Sequence, residues 1–162
     1  PSRLLVTGPL SIVPEVPDLD DLVWMGGALD GGNITRTAEF NAWCDPTAAE
    51  VVLAAPATRT RVVPLEVTRQ VRVDPDDLQG PGATAQLLAA ALRGAGRVHV
   101  HDAVAALAWI EPDRFAWERR SLGVDPEGAL VDAPGRPAVE VAVGVDAAAA
   151  RARIRATVAA CP

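Results

Sequence analysis

The chain has 162 residues, 49% of them apolar and 22% charged, which is enough for a single domain over residues 1–162 with a real core. A formal charge of −6 argues against nucleic acid as a partner, because phosphate binding needs clustered Lys and Arg. No apolar run is long enough to span a bilayer and no signal peptide is visible, so a cytoplasmic protein with no membrane partner is expected. The sequence opens Pro1-Ser2-Arg3 with no initiator Met, as a piece of a longer polypeptide would. Residues 3–7 read as a short buried strand stopped by Gly8-Pro9. The Pro-containing, acidic stretch 11–20 reads as a loop or a broken helix, and 21–26 as a second strand ending in a glycine turn. Asp45-Pro46 starts a helix, with Asp as the cap and Pro in the first turn, and Ala48 to Ala55 continues it. Arg61 to Val67, rich in β-branched residues, reads as a third strand. Asp74-Pro75 opens another helical turn, and Thr84 to Leu92 is helical up to Gly94 and Gly96. Val98 to Val100 is a short apolar run before a helix from Asp102 to Ile110. Leu130-Val131 and Val139 to Val145 read as strands, and Ala147 to Ala159 as a closing helix whose Arg151, Arg153 and Arg155 spread over a solvated face. Strands alternating with helices imply an α/β fold with a mostly parallel sheet and flanking helices.

Ligands of such sheets bind beyond the carboxyl ends of the strands. Thr7, Asn33 and His101 each stand just past an apolar segment. The segment Gly31-Gly32-Asn33 to Glu39-Phe40-Asn41 gathers three strong hydrogen-bonding side chains, Asn33, Glu39 and Asn41, in a short Gly-opened stretch. That chemistry suits a hydroxyl-rich ligand such as a sugar, and a plain capped loop with Asn33 and Thr35 bonding local backbone is the alternative. Asp102 at a helix start is a cap or, as an anionic oxygen at a strand–helix junction, a ligand for a hard cation. His101 could act as a general acid, and His99 would share its face on a strand, so either is a chemical candidate. The Thr7-Gly8-Pro9 bend frees a backbone carbonyl that a cation could use. Cys44 and Cys161 lie far apart, with no metal-binding spacing and no disulfide framework. Neither Gly8 nor Gly26-Gly27 fits a GxGxxG or P-loop pattern.

Several segments, in order, resemble the inosine–uridine-type nucleoside hydrolases. They are Val6-Thr7-Gly8-Pro9-Leu10, Val23 to Ala28, Gly32-Asn33-Ile34-Thr35 with Ala38-Glu39-Phe40-Asn41, and Asp45-Pro46. Pro64 to Gln70, His101 to Ala105 and the tail Val139 to Asp146 complete the likeness, which covers nearly the whole chain. The resemblance implies a nucleoside-hydrolase-like (Rossmann-like) fold, N-terminally truncated, from an enzyme that hydrolyses the N-glycosidic bond of ribonucleosides to ribose and free base with a bound Ca²⁺. It implies that Thr7 gives a carbonyl and Asp102 a carboxylate to the metal. Asn33, Glu39 and Asn41 would hold ribose hydroxyls, Met25 and Phe40 would line the pocket, and His101 would protonate the leaving base. The family commonly forms dimers or tetramers, so a homo-oligomer is an open expectation.

The likeness has gaps. The family's N-terminal acidic motif, of the form DxDxGxDD, is not in the sequence, and Asp18, Asp20 and Asp21 do not replace it. Arg69 stands where many members have His, and Ile12 where the family has Asn. A cation held by Asp102 and one carbonyl is under-coordinated, since Ca²⁺ takes about 6–8 oxygens. The isolated chain is therefore expected to be nearly inactive. The alternative is a degenerate relative that binds ribosides, or serves only as structure, without hydrolysis.

Overall fold

The structure is a computed structural model and describes residues 2–57 and 59–161. Its centre is a five-stranded sheet. β1 (Ser2–Val6), β2 (Leu19–Met25) and β3 (Arg59–Val63) run parallel and side by side. Between β2 and β3 come two helices, α1 (Phe40–Cys44) and α2 (Pro46–Ala54), and after β3 a single turn, α3 (Leu65–Thr68). A small antiparallel pair follows, β4 (Arg72–Val73) with β5 (Val98–His99), around the helix α4 (Ala83–Ala91). Then come α5 (His101–Ile110), β6 (Phe115–Arg120), the hairpin of β7 (Leu122–Val124) and β8 (Leu130–Asp132), β9 (Val139–Val145) and α6 (Ala147–Ala160). The sheet order is β1-β2-β3-β9-β6, with β9 parallel to β3 and β6 antiparallel to β9. The expected α/β fold with a mostly parallel sheet is thus the observed one.

Strands buried on both faces explain the continuous apolar runs. Leu22, Trp24, Val62 and Val141 face α2 and the 3-10 turn Leu10–Glu15. The alternating Val23, Met25, Val63 and Ala142 face α3, α5 and α6. Among the described residues no helix is long and apolar enough to cross a membrane.

Three local expectations are corrected. The strand expected over 61–67 ends at Val63, because Pro64 has no N–H for a ladder and Leu65 turns instead to donate to the Gly27 carbonyl at 3.0 Å. The stretch 11–20, expected as a loop or a broken helix, does hold a 3-10 helix with Pro14 inside it, but the strand expected from 21 begins earlier, at Leu19. The Arg face of α6 is not simply solvated: Arg151 reaches Asp74 at 2.7 Å, Arg155 reaches Asp77 at 3.3 Å, and Arg153 reaches Glu111 at 2.7 Å. Strands β4, β6 and β7 have no counterpart in the elements read from the sequence, whereas β5 falls on the apolar run of Val98 to Val100.

Candidate functional site

At the carboxyl ends of β1 and β2 the chain turns away from the sheet, and an open cleft of about 360 Å³ lies there. Of the residues singled out from the sequence for chemistry or binding, eight line it and His99 does not. Thr7 enters from the end of β1, Met25 from the end of β2, and His101 and Asp102 from the first turn of α5. Asn33, Glu39, Phe40 and Asn41 come from the loop after β2 and the start of α1. Residues as far apart in sequence as Thr7 and Asp102 therefore share one surface.

The loop is built on glycines. Gly27 has φ +75°, and a side chain there would also strike Leu130. Gly32 lies so close to Ala38 that a Cβ would stand 2.0 Å from its carbonyl oxygen. Glu39 caps α1: one carboxylate oxygen, Oε2, accepts from the N–H groups of Gly27 (2.9 Å), Asn41 (2.9 Å) and Ala42 (3.2 Å). The side chain is almost wholly buried. Burial pushes its pKa above the usual carboxylate value, and the charge of Asp102 adds to this, while the three backbone donors pull the other way. Asn41 donates from Nδ2 to the Met25 carbonyl at 2.9 Å and to the Met25 sulfur at 3.5 Å. Asn33 Oδ1 accepts the Phe40 N–H at 2.9 Å, and Thr35 Oγ1 accepts the Ala38 N–H at 2.9 Å. The local backbone bonds of the capped-loop alternative are present, then, on a loop that also lines the cleft. Phe40 itself is about half exposed.

The opposite wall holds His101. Its Nδ1 lies 2.7 Å from Oγ1 of Thr68, a fully buried hydroxyl that also donates to the Leu65 carbonyl at 3.1 Å. One hydroxyl proton cannot serve both partners at once, so Thr68 ties the His101 tautomer to the turn α3. The His99 ring stacks on His101 at 5.4 Å between centroids and 12° between planes, although His101 opens a helix rather than continuing the strand. Burial lowers the His101 pKa first, then the charges of His99 and Arg69, against the opposing pull of Asp102. His99 is lowered by burial and by Arg72 and Arg69, and Arg72 Nε donates to its Nε2 at 3.2 Å. Asp102 is exposed and makes no capping bond, as α5 has none at its start. Its cap reading therefore fails, and the carboxylate is left to the cleft.

A calcium ion does not fit the donors of this chain taken alone. Thr7, Asp102 and Glu39 border the cleft, but among the described residues no three His, Cys, Asp or Glu side chains stand together as a metal-binding group. Sequence reasoning missed the roles of Glu66, Thr68 and Arg69. Glu66 Oε1 accepts the N–H groups of Leu29 and Asp30, and Arg69 donates to the Gly31 and Gly32 carbonyls. Their only signal was membership of the Pro64-to-Gln70 segment, which reads as strand when periodicity alone is used.

This cleft lies at the strand ends of a mostly parallel α/β sheet, where such folds carry small-molecule sites. The model of the inosine-uridine preferring nucleoside hydrolase family matches residues 8–152, and the chain belongs to that family. It is 32% identical over 174 aligned positions to the non-specific ribonucleoside hydrolase RihC of Salmonella paratyphi B, a match covering 90% of this chain and 56% of that protein. It is 30% identical over 125 positions to uridine nucleosidase 1 of Arabidopsis thaliana, covering 68% of this chain and 37% of that one. The solved plant nucleoside hydrolase PpNRh1 has the same fold, with a TM-score of 0.88 at 23% identity over 98% of this chain and 62% of its own. The chain spans from 27% to 56% of the length of the curated relatives named here and of others that it matches.

Proposed function

We propose that the cleft holds the ribose of a ribonucleoside and forms the sugar and leaving-group side of a site that hydrolyses the N-glycosidic bond to ribose and free base. One observation carries this reading: Asn33, Glu39 and Asn41 share a cleft with His101 and Asp102. The amides of Asn33 and Asn41 can both donate to and accept from ribose hydroxyls, and a carboxylate accepts from them. Cleavage builds positive charge on the sugar ring, as in other glycoside hydrolyses, and a buried Glu39 carboxylate nearby stabilises it. Met25 and Phe40 give the ring apolar walls. His101, held through Nδ1 by Thr68, presents Nε2 to the leaving base. With its pKa lowered it is neutral at pH 7; when the Thr68 hydroxyl turns from the Leu65 carbonyl to Nδ1, Nε2 carries the hydrogen and donates a hydrogen bond to the leaving base.

Calcium belongs to this proposal only for a completed site. There the Asp102 carboxylate and the Thr7 carbonyl are two ligands, and further carboxylates come from a polypeptide segment outside this chain. An enzyme of this kind frees purine and pyrimidine bases for salvage, and a cytoplasmic dimer or tetramer is the setting proposed for it. The second reading, a riboside-binding relative without turnover, draws support from the incomplete metal-donor set.

Release of p-nitrophenol from p-nitrophenyl riboside, with and without EDTA, separates the two. The chain alone is expected to give almost none. The chain joined to a segment that supplies the acidic motif is expected to give release that EDTA abolishes and that Glu39→Ala or Asn41→Ala greatly slows. A joined protein that binds inosine but never releases p-nitrophenol would establish the second reading instead.

A further inference from the structure

The turn α3 makes contacts that the proposed chemistry does not use. The backbone from Leu29 to Gly32 lies outside every ladder, yet four of its polar groups in succession are met by two side chains of opposite charge. Glu66 Oε1 accepts from the N–H of Leu29 at 3.0 Å and of Asp30 at 2.9 Å. Three residues along the same turn, Arg69 donates from its two terminal nitrogens to the carbonyls of Gly31 and Gly32, each at 3.1 Å. A carboxylate reads the donors and a guanidinium fork reads the acceptors, both as charge-assisted bonds. The α3 backbone adds a third tie, from Leu65 N–H to the Gly27 carbonyl at 3.0 Å.

Past Gly32 the loop is held by itself. The N–H groups of Asn33, Ile34 and Thr35 converge on the Ala38 carbonyl, and Gly32 N–H donates to Arg36. These bonds tie Asn33 and Gly32 into one knot, so the place of Leu29 to Gly32 bears on the place of Asn33. Asn33 in turn receives the Phe40 N–H.

We propose that Glu66 and Arg69 are positioning residues: acting through the Leu29–Gly32 backbone, they set the place of Asn33 in the cleft. The inference rests on the reading of that cleft as a ribose site. Because α3 also carries Thr68, this one turn fixes both walls, the sugar-holding loop through Glu66 and Arg69 and His101 through Thr68.

Amide hydrogen exchange by NMR on the full chain tests it. In Glu66→Leu, protection at Leu29 and Asp30 falls about tenfold or more. Glu66→Gln keeps an accepting oxygen and restores most of it. The deciding signal is the Phe40 amide, which touches neither Glu66 nor Arg69. Its protection falls in Glu66→Leu and in Arg69→Met, returns in Glu66→Gln, and returns at most in part in Arg69→Lys, which has no fork. Amides of Val23 and Val62 in the sheet stay as in the wild type. Wild-type protection of Phe40 in both Glu66→Leu and Arg69→Met would overturn the proposal. If Glu66→Leu does not fold, Arg69→Met carries the test alone, because Arg69 is an exposed position. Titration of the wild-type chain with inosine, read on the Asn33 and Asn41 side-chain amides, probes the ribose reading separately. No shift there counts against the ribose site and leaves the exchange result to decide positioning.

Discussion

Glu39 is where folding and the proposed ribose binding oppose each other. Its carboxyl is 2% exposed, and burial raises its pKa over the reference value of 4.5. Between 4.5 and the folded value the native chain keeps a proton that the unfolded chain has released. Native stability therefore falls as pH rises through that window, and the whole penalty is present above it. Glu39→Gln removes the charge and keeps an oxygen for the Gly27, Asn41 and Ala42 amides. It is expected to melt higher than the wild type at neutral pH, with the gap closing as pH is lowered toward 4.5, while losing function in the completed enzyme. A gap independent of pH would show that the charge is not its source. Asp21 behaves in the opposite way. Burial works to raise its pKa, but bonds and charge from Arg61 and Arg3 outweigh it and hold the carboxyl below its reference value. Arg61 is 1% exposed and forks onto both Asp21 oxygens at 2.8 and 3.0 Å, with a further bond to the Ala108 carbonyl. The pair's stability is complete above pH 3.8 and is lost as pH falls through the folded value. Asp21→Ala strands a buried guanidinium and is expected to cost about 3–5 kcal/mol in urea unfolding, most of it recovered when Arg61→Met is added. No recovery in the double variant would place the loss in packing instead.

The elements show which signals a sequence carries and which it does not. The loop from Gly31 to Asn41 was legible in part: glycines next to a strand end, followed by Asn, Glu and Asn, fit either a capped loop or a polar site, and the local backbone bonds and the cleft are found together. The strand reading of 61–67 failed because β-branched periodicity continues through Pro64 while the backbone does not: Leu65 leaves the ladder for Gly27. The roles of Glu66 and Arg69 could not be read at all, since they depend on how α3 approaches a loop more than thirty residues earlier. β6 was missed for a different reason. It pairs on one side only, and its Phe115-to-Arg120 run turns from apolar to charged halfway along. The Arg residues of α6 illustrate the same dependence on tertiary approach. Arg151 bridges Asp74 and Asp77, and Arg155 adds to Asp77. Arg151, Arg155 and Asp74 are partly exposed, so solvent screens each pair, and together the pairs tie α6 to the turn Pro75–Leu78. Arg151→Met is expected to lower the melting temperature by a few degrees at low salt and by less at high salt. A loss unchanged by salt would mean that the aliphatic stem, not the charge, holds the helix.

Across the whole molecule, the sheet and the cleft are open on the same side. β1 is the outer strand beyond β2, and Leu4, Leu5 and Val6 on it are only half-buried. Parallel sheets are normally covered, and an uncovered edge strand offers a row of free N–H and C=O groups to any other strand. Thr7, the next residue after this edge, lines the cleft beside Asp102, where the metal-donor set is short. One added element would answer both deficits: a strand parallel to β1 whose acidic residues lie just past its carboxyl end. It would pair the edge and bring carboxylates to Asp102 and the Thr7 carbonyl in one move. Calorimetry gives the check. The chain alone is expected to bind Ca²⁺ weakly or not at all. With an acidic-ended strand supplied in cis or as a separate polypeptide, binding should tighten by orders of magnitude, and Asp102→Ala should reverse most of the gain. The same strand with its acids changed to Asn should still pair with β1 and raise the melting temperature, but leave calcium affinity low. If the acidic and the Asn strands gave equal calcium affinity, or if neither changed the exchange of the Leu4 and Val6 amides, the edge of β1 would not be where this site is completed.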